Sequence, residues 1–317
     1  MKSALSVVLQ KSPKMLNRSP NLPIAVSQTA RTLCSAPTST SYSFETLKLS
    51  TPKPFVVHVE LNRPDRLNAF NKRMWIELGE CFNQLHGDPD CRAIVLSGGN
   101  AKHFTAGIDL VDMLKLGQQL GDIEDIGRRG RLFEVMIKLY QDSISSLERC
   151  YKPVIAAVHG ASVGAGVDLI TAADIRYCTR DAWFQVKEVD IGMAADVGTL
   201  QRLPKVIGSM SLARELCFTA RKFKADEAHS CGLVSEVFAN REDMIGKAVA
   251  LAEQIASKSP IAVQGTKKNM VYSLDHTNQE GLDQIREMNM VNMQSEDFMN
   301  AVMAQQSKDE MPIFSKL

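Results

Sequence analysis

The stretch of residues 152–174, K-P-V-I-A-A-V-H-G-A-S-V-G-A-G-V-D-L-I-T-A-A-D, limits the fold more than any other part of the chain. Val154–Val158 is a short apolar run without polar alternation, which predicts a buried strand. Gly160 ends that strand, and Gly164 and Gly166 open a helix reaching about Ala173. A buried strand feeding directly into a helix predicts an α/β architecture.

Similar units recur on both sides. Residues 55–61 alternate as a half-buried strand does, residues 62–66 (N-R-P-D-R) break it, and residues 71–85 have apolar side chains at helical spacing. Residues 93–96 form a second short strand that ends at Ser97-Gly98-Gly99-Asn100, and residues 104–109 lead toward a polar turn. The polar, glycine-punctuated residues 113–130 predict a lid-like or mobile insertion before helical periodicity returns over 131–147. Strands are expected at 175–178 and 183–186, and from Met244 the pattern is helical to the end, with a break and restart at Ser259-Pro260. The methionines at 270, 288, 290, 293, 299 and 303 suit adaptable packing, in a core or at a subunit contact.

Composition removes several classes of function. With 317 residues, 44% hydrophobic, the chain can bury one large core, or a core plus a helical appendage, without crosslinks. A net charge of +1 gives no electrostatic case for nucleic acid or an anionic membrane. No apolar stretch has the length of a membrane span. The seven cysteines are scattered without C-x-x-C or zinc-finger spacing, and the six histidines are dispersed, so buried reduced thiols and no metal are expected. Residues 1–43 contain Lys2, Lys11, Lys14, Arg18 and Arg31 but no acid, the composition of a removable mitochondrial-type presequence. Ser315-Lys316-Leu317 spells a peroxisomal address, read by an import receptor. Together they predict division between mitochondrial matrix and peroxisome.

The chemistry lies between the two ends. The first amides of the helix opened by Gly164 have no partner inside that helix and present a positive pole to a carbonyl oxygen that gains charge. A second donor is expected from the His103–Asp109 loop, where Gly107 lets backbone approach a ligand. Asp168, Glu188 and Asp196 supply carboxylates for proton transfer, and turn or helix-dipole service is the plainer role for Asp168 and Asp196. Gly160-Ala161-Ser162-Val163-Gly164 also matches G-x-S-x-G between a strand and a helix, a serine hydrolase alternative that would need His229 or His276 as partner. The dinucleotide pattern G-x-G-x-x-G is absent.

The segment 155–174, together with F-T-A-G-I-D at 104–109 and F-Q-V-K-E-V-D-I-G-M-A-A-D-V-G-T at 184–199, resembles the enoyl-CoA hydratase/isomerase (crotonase) superfamily, from about Phe55 to the C-terminus. The resemblance implies an α/β crotonase-type spiral of ββα units over residues 44–245 and a C-terminal helical trimerisation region over 246–317. It further implies trimers paired into hexamers and a fatty acyl-CoA substrate, with no cofactor beyond the CoA that the substrate carries. By motif the oxyanion amides fall on Ile108 and Ala165. Substrate contacts fall on Ala106, Gly107, Ile108, Asp109, Leu110 and Ala165, with the adenine end near 62–69 and the 106–110 segment.

Departures from the commonest pattern sharpen the expectation. Hydratases of the family carry glutamate where Asp168 stands, and a Pro-Gly run where this chain has Ala194-Ala195-Asp196-Val197-Gly198. The trio Asp168, Glu188 and Asp196 looks like the Δ3,5-Δ2,4-dienoyl-CoA isomerase branch. That likeness implies a C2-to-C6 proton transfer through a dienolate, in β-oxidation of unsaturated fatty acids. A 2-enoyl-CoA hydratase is the nearest alternative. A noncatalytic acyl-CoA-binding relative is a more distant one, and it predicts loss of acids that are all present.

Overall fold

The computed structural model describes residues 42–308 and 310–317. The presequence expected over 1–43 lies outside the described residues except for Tyr42 and Ser43. Tyr42 already packs on the core, and its hydroxyl donates to Asp88.

β1 (Leu47–Lys53) and β2 (Val56–Leu61) pair antiparallel across a turn where Phe55 takes a φ of 63°. α1 (Lys72–Gly87), capped by the Asn71 side chain, returns the chain to β3 (Ala93–Ser97). Then come α2 (Leu110–Gly121), α3 (Ile126–Arg149), β4 (Val154–Val158), β5 (Ala161–Val163), α4 (Ala165–Thr171) and β6 (Ile175–Thr179). β7 (Trp183–Gln185), α5 (Thr199–Ile207), α6 (Met210–Thr219), β8 (Phe223–Lys224), α7 (Ala225–Ser230) and β9 (Glu236–Phe238) complete the strand-bearing part. α8 (Arg241–Ala256), α9 (Pro260–Tyr272), α10 (Asn278–Asn292) and α11 (Glu296–Ser307) follow.

The strands form two sheets, a larger one ordered β1-β2-β3-β4-β6-β9 and parallel from β2 onward, and a smaller one ordered β5-β7-β8. β4–β5–α4 and β6–β7–α5 are successive turns of the expected spiral: one strand in each sheet, then a helix. Side chains alternate along a strand. Ile94, Leu96, Val154, Ala156 and Val158 therefore enter the larger core, while Ala93, Val95, Ile155 and Ala157 face α8. Burial on both faces is why these strands read as continuous apolar runs.

α8 covers the second face with Met244, Ala248, Ala252 and Ala256, a four-residue spacing that puts small side chains against the sheet. The boundary expected between residues 245 and 246 thus falls inside a helix that belongs to the core, and the helices beyond this layer start at α9. Lys267 ties α9 to the spiral. Its buried ammonium donates to the Leu147 and Lys152 carbonyls at 2.9 and 3.0 Å and to Asp174 at 2.7 Å.

Residues 113–130, expected as a lid-like insertion, are mostly helical. Asp109 caps α2 and Asp125 caps α3, so only a short link separates the two helices. The C-terminal tripeptide lies against the body: buried Arg92 donates to the carbonyls of Phe314 and Ser315 at 2.7 and 3.0 Å, and Lys316 pairs with Asp90. Cys81, Cys91, Cys150, Cys178 and Cys217 are free and buried, as expected, and Cys231 is partly exposed. No helix among the described residues is long and apolar enough to cross a membrane.

Candidate active site

Two backbone segments far apart in sequence are zipped together beside the small sheet. Thr105 N–H donates to Ala161 O at 3.0 Å and Val163 N–H to Thr105 O at 3.3 Å, so the 104–109 loop extends the sheet beyond β5. On its other edge the loop pairs with Phe70, which donates to Gly107 O at 2.7 Å and accepts from Asp109 N–H at 3.0 Å. Consecutive amides of extended backbone point to opposite sides. With Gly107 and Asp109 engaged by Phe70, the Ile108 N–H faces away and finds no acceptor among the described residues.

The second segment turns at Gly164, whose φ of 51° starts α4. Its own N–H is held by Gln185 O at 2.9 Å, and the amide of Ala165, the first residue of α4, has no acceptor among the described residues. Left-handed backbone is thus required at Gly164 and not at Ala165, so alanine in the second position leaves the amide in place. Close approach explains two more glycines. A Cβ on Gly107 would sit 2.7 Å from Val163 O, and one on Gly166 would sit 2.5 Å from Thr105 Cγ2.

Ala106, Gly107, Ile108, Asp109, Leu110, Ala165, Glu188 and Asp196 all line one mainly apolar cavity of about 160 Å³. Of the expected site residues only Asp168 lies off it. That side chain is fully buried, and its Oδ1 accepts the Thr199 N–H at the start of α5 while Oδ2 has no partner among the described residues. Asp168 therefore secures the turn that carries Asp196 from behind, and the helix it caps is α5, not its own. The Asp109 carboxylate is also structural: it caps α2 and pairs with Arg63 at 3.1 Å. Asn68, in the loop expected near adenine, is buried and donates to Gly98 O at 2.9 Å and Phe104 O at 3.0 Å.

The three acids share one electrostatic environment. Burial, then repulsion from Asp196, raises the Glu188 carboxyl above its ordinary range, and Glu188 Oε2 is buried without a hydrogen-bond partner among the described residues. Burial raises Asp196 as well. Asp168 is pushed up to about 7 by burial and then by the Glu188 charge. Neighbouring carboxyls that resist ionisation are suited to holding one proton between them, as a proton transfer between Glu188 and Asp196 would need.

Sequence reasoning did not find the inner wall of the cavity, where Phe70, Trp75, Met136, Ile137, Tyr140 and Met193 gather. Trp75 stacks on Tyr140 with ring centroids 4.5 Å apart. Helical periodicity marks Trp75 on α1 and Met136, Ile137 and Tyr140 on α3 as inward but does not separate cavity wall from core. Gln141 was also missed, and its side chain donates to the Asp196 carbonyl at 2.7 Å. The hydrolase alternative loses its nucleophile: the Ser162 hydroxyl is buried beneath Gly166, off the cavity, and hydrogen-bonded to nothing among the described residues.

Residues 53–311 match the enoyl-CoA hydratase/isomerase family. The chain is 53% identical over 279 residues to the mitochondrial Δ3,5-Δ2,4-dienoyl-CoA isomerase of Homo sapiens, covering 87% of this chain and 84% of that protein. It is 42% identical over 280 residues to the peroxisomal Δ3,5-Δ2,4-dienoyl-CoA isomerase of Arabidopsis thaliana, covering 88% and 100%. The crystal structure of enoyl-CoA hydratase from Bacillus anthracis superposes with a TM-score of 0.77 at 26% identity, covering 86% of this chain and 99% of that one. The chain belongs to the enoyl-CoA hydratase/isomerase family.

Proposed function

We infer that this protein isomerises 3,5-dienoyl-CoA to 2,4-dienoyl-CoA in the oxidation of unsaturated fatty acids. The observation that carries the reading is the placement of two carboxyls, Glu188 and Asp196, in one apolar cavity with the free Ile108 and Ala165 amides. The thioester oxygen accepts both amides. Each such donor contributes on the order of 3 kcal/mol to a developing oxyanion. Glu188 takes a proton from C2, which the carbonyl and the adjacent diene acidify, and the charge spreads through the dienolate to that oxygen. Asp196, in its neutral form, returns a proton at C6, and both double bonds move toward the carbonyl. The raised proton affinities of both acids support this pairing, since one must be ionised and the other protonated at the start.

The steps need no group beyond the two acids, the amides and the CoA thioester itself. The nucleotide end of CoA is assigned to the largely exposed loop at 62–69 and to the Ala106–Leu110 segment, which lines the cavity. Exposed apolar side chains along α10 and α11, among them Leu282, Met290, Val291, Phe298 and Met303, support trimerisation through the C-terminal helices and a hexamer of paired trimers. Relatives named as mitochondrial and peroxisomal support residence in both organelles, with the Ser315-Lys316-Leu317 tail offered to the peroxisomal import receptor.

The nearest alternative, hydration of a 2-enoyl-CoA, needs room for water between two acids, and Asp196 occupies the wall where that room would be. The deciding experiment gives the purified protein a 3,5-dienoyl-CoA and follows the absorbance of the conjugated 2,4-dienoyl product, with a 2-enoyl-CoA as contrast. Rapid hydration without a diene shift overturns the assignment.

A further inference from the structure

Resting on the isomerase reading, proton bookkeeping across one turnover exposes a requirement. The C2–H bond breaks and its proton goes to Glu188, while the Asp196 O–H breaks and its proton forms the new C6–H bond. The product complex therefore holds Glu188 neutral and Asp196 ionised, the reverse of the starting pair. A second turnover needs one proton to leave Glu188 and one to reach Asp196.

The two acids differ in what they can reach. Glu188 lines the apolar cavity and not the second one, and its Oε2 is buried without a partner among the described residues. Asp196 lines both that cavity and a second one of about 540 Å³. The walls of the second cavity carry Gln141, Ser145, Glu148 and Arg202, and it opens to solvent at exposed Gln201 and Lys205. Arg202 donates to Glu148 at 2.8 Å and to Ser145 at 2.9 Å, which keeps the wall polar. A space of this size with polar walls holds water, whereas an apolar one stays dry. Gln141, bonded to the Asp196 carbonyl, holds the residue at the partition.

The geometry points to the second cavity as a proton-exchange route that recharges Asp196 from bulk water while the acyl group still fills the first. One solvent proton enters through this cavity to Asp196, and the C2 proton leaves Glu188 for solvent when product departs, so the balance closes over the cycle. Gln141 is a positioning residue for this route.

The test combines isotope tracing with a plugged cavity, using the full chain. With 3,5-dienoyl-CoA deuterated at C2, in ordinary water and over many turnovers, the product is expected to carry solvent hydrogen at C6. Filling the mouth with Gln201→Trp and Lys205→Trp together is expected to leave the first turnover at the wild-type rate. Later turnovers should slow by about tenfold, because recharging then limits the cycle. Progress curves would show a burst of one product per site. Substantial deuterium at C6 would mean direct transfer from Glu188 to Asp196 and would overturn the route, as would a linear progress curve at the wild-type rate for a plugged variant with a wild-type melting temperature. Absence of any diene shift in the wild-type protein would remove the isomerase reading as well.

Discussion

At the proposed oxyanion hole the working groups are backbone amides, held by strand pairing to Phe70 and Ala161 and by glycines that a side chain would displace. Across the cavity the proposed working groups are the carboxyls of Glu188 and Asp196, the latter beside a turn that Asp168 and Gln141 hold from behind. The amides depend on chain path and tolerate changes of side chain at the donor itself. The carboxyls depend on side-chain identity and on the groups that hold the turn. Mutations on the two sides should therefore fail in different ways.

The largest effect is expected at the acidic wall. Asp196→Asn should lower the rate of diene formation by about 10²–10⁴, the usual worth of a positioned acid or base, while CoA-thioester affinity stays near wild type. Normal turnover by this variant would reduce Asp196 to a turn former. On the backbone side, Gly107→Ala forces a Cβ against Val163 O and strains a φ of 90°. It should cost about 10²–10³ in kcat through displacement of the Ile108 amide. An unchanged kcat would show that this amide does not face the thioester.

Asp168 separates holding from titrating. Asp168→Asn keeps an acceptor for Thr199 and should stay within about tenfold of wild-type kcat, below the range expected for a direct acid or base. Asp168→Leu removes the acceptor and should fall well below that. The buried carboxyl also makes stability depend on pH. Its folded pKa of about 7 exceeds its ordinary value of 3.8, so the folded state binds more protons between them. The contribution of Asp168 to stability is therefore fully present below its ordinary value and is lost as pH rises through 7, by an amount on the order of a few kcal/mol. Melting temperatures from pH 5 to 8 should fall in the wild type and fall less in Asp168→Asn; parallel slopes would remove Asp168 from the titrating set. The smallest effect is expected at the donor's own side chain. Ile108→Val keeps the amide and removes one methylene, a change of about fourfold in kcat/KM. A hundredfold loss there would mean that the side chain, and not the amide, does the work.

Much of this was legible in the sequence because it is encoded locally. The apolar run of β4, the glycines at 164 and 166 and the carboxylates of 184–199 each declare a strand, a helix start or an acid within a few residues. Other features are legible only once the chain is closed. Residues 113–130 look loop-like because their glycines and polar side chains sit on exposed helices capped by Asp109 and Asp125. Trp75 and Tyr140 look like ordinary core residues until α1 and α3 set their rings side by side at the cavity wall. Asp168 reads equally as a catalytic acid or as a helix-start residue, and only the folded chain shows it buried, off the cavity and bonded to Thr199.

By itself the sequence determined the class of chemistry, since free amides at a glycine-opened helix and acids in an apolar setting follow from residue type and short-range geometry. Tertiary structure decided which amides and acids meet. Pairing of Thr105 with Ser162 brings Ile108 to Ala165, and the turn held by Asp168 and Gln141 presents Asp196 to two cavities at once. Those contacts join segments separated along the chain, and nothing in a local pattern states the distance at which they close.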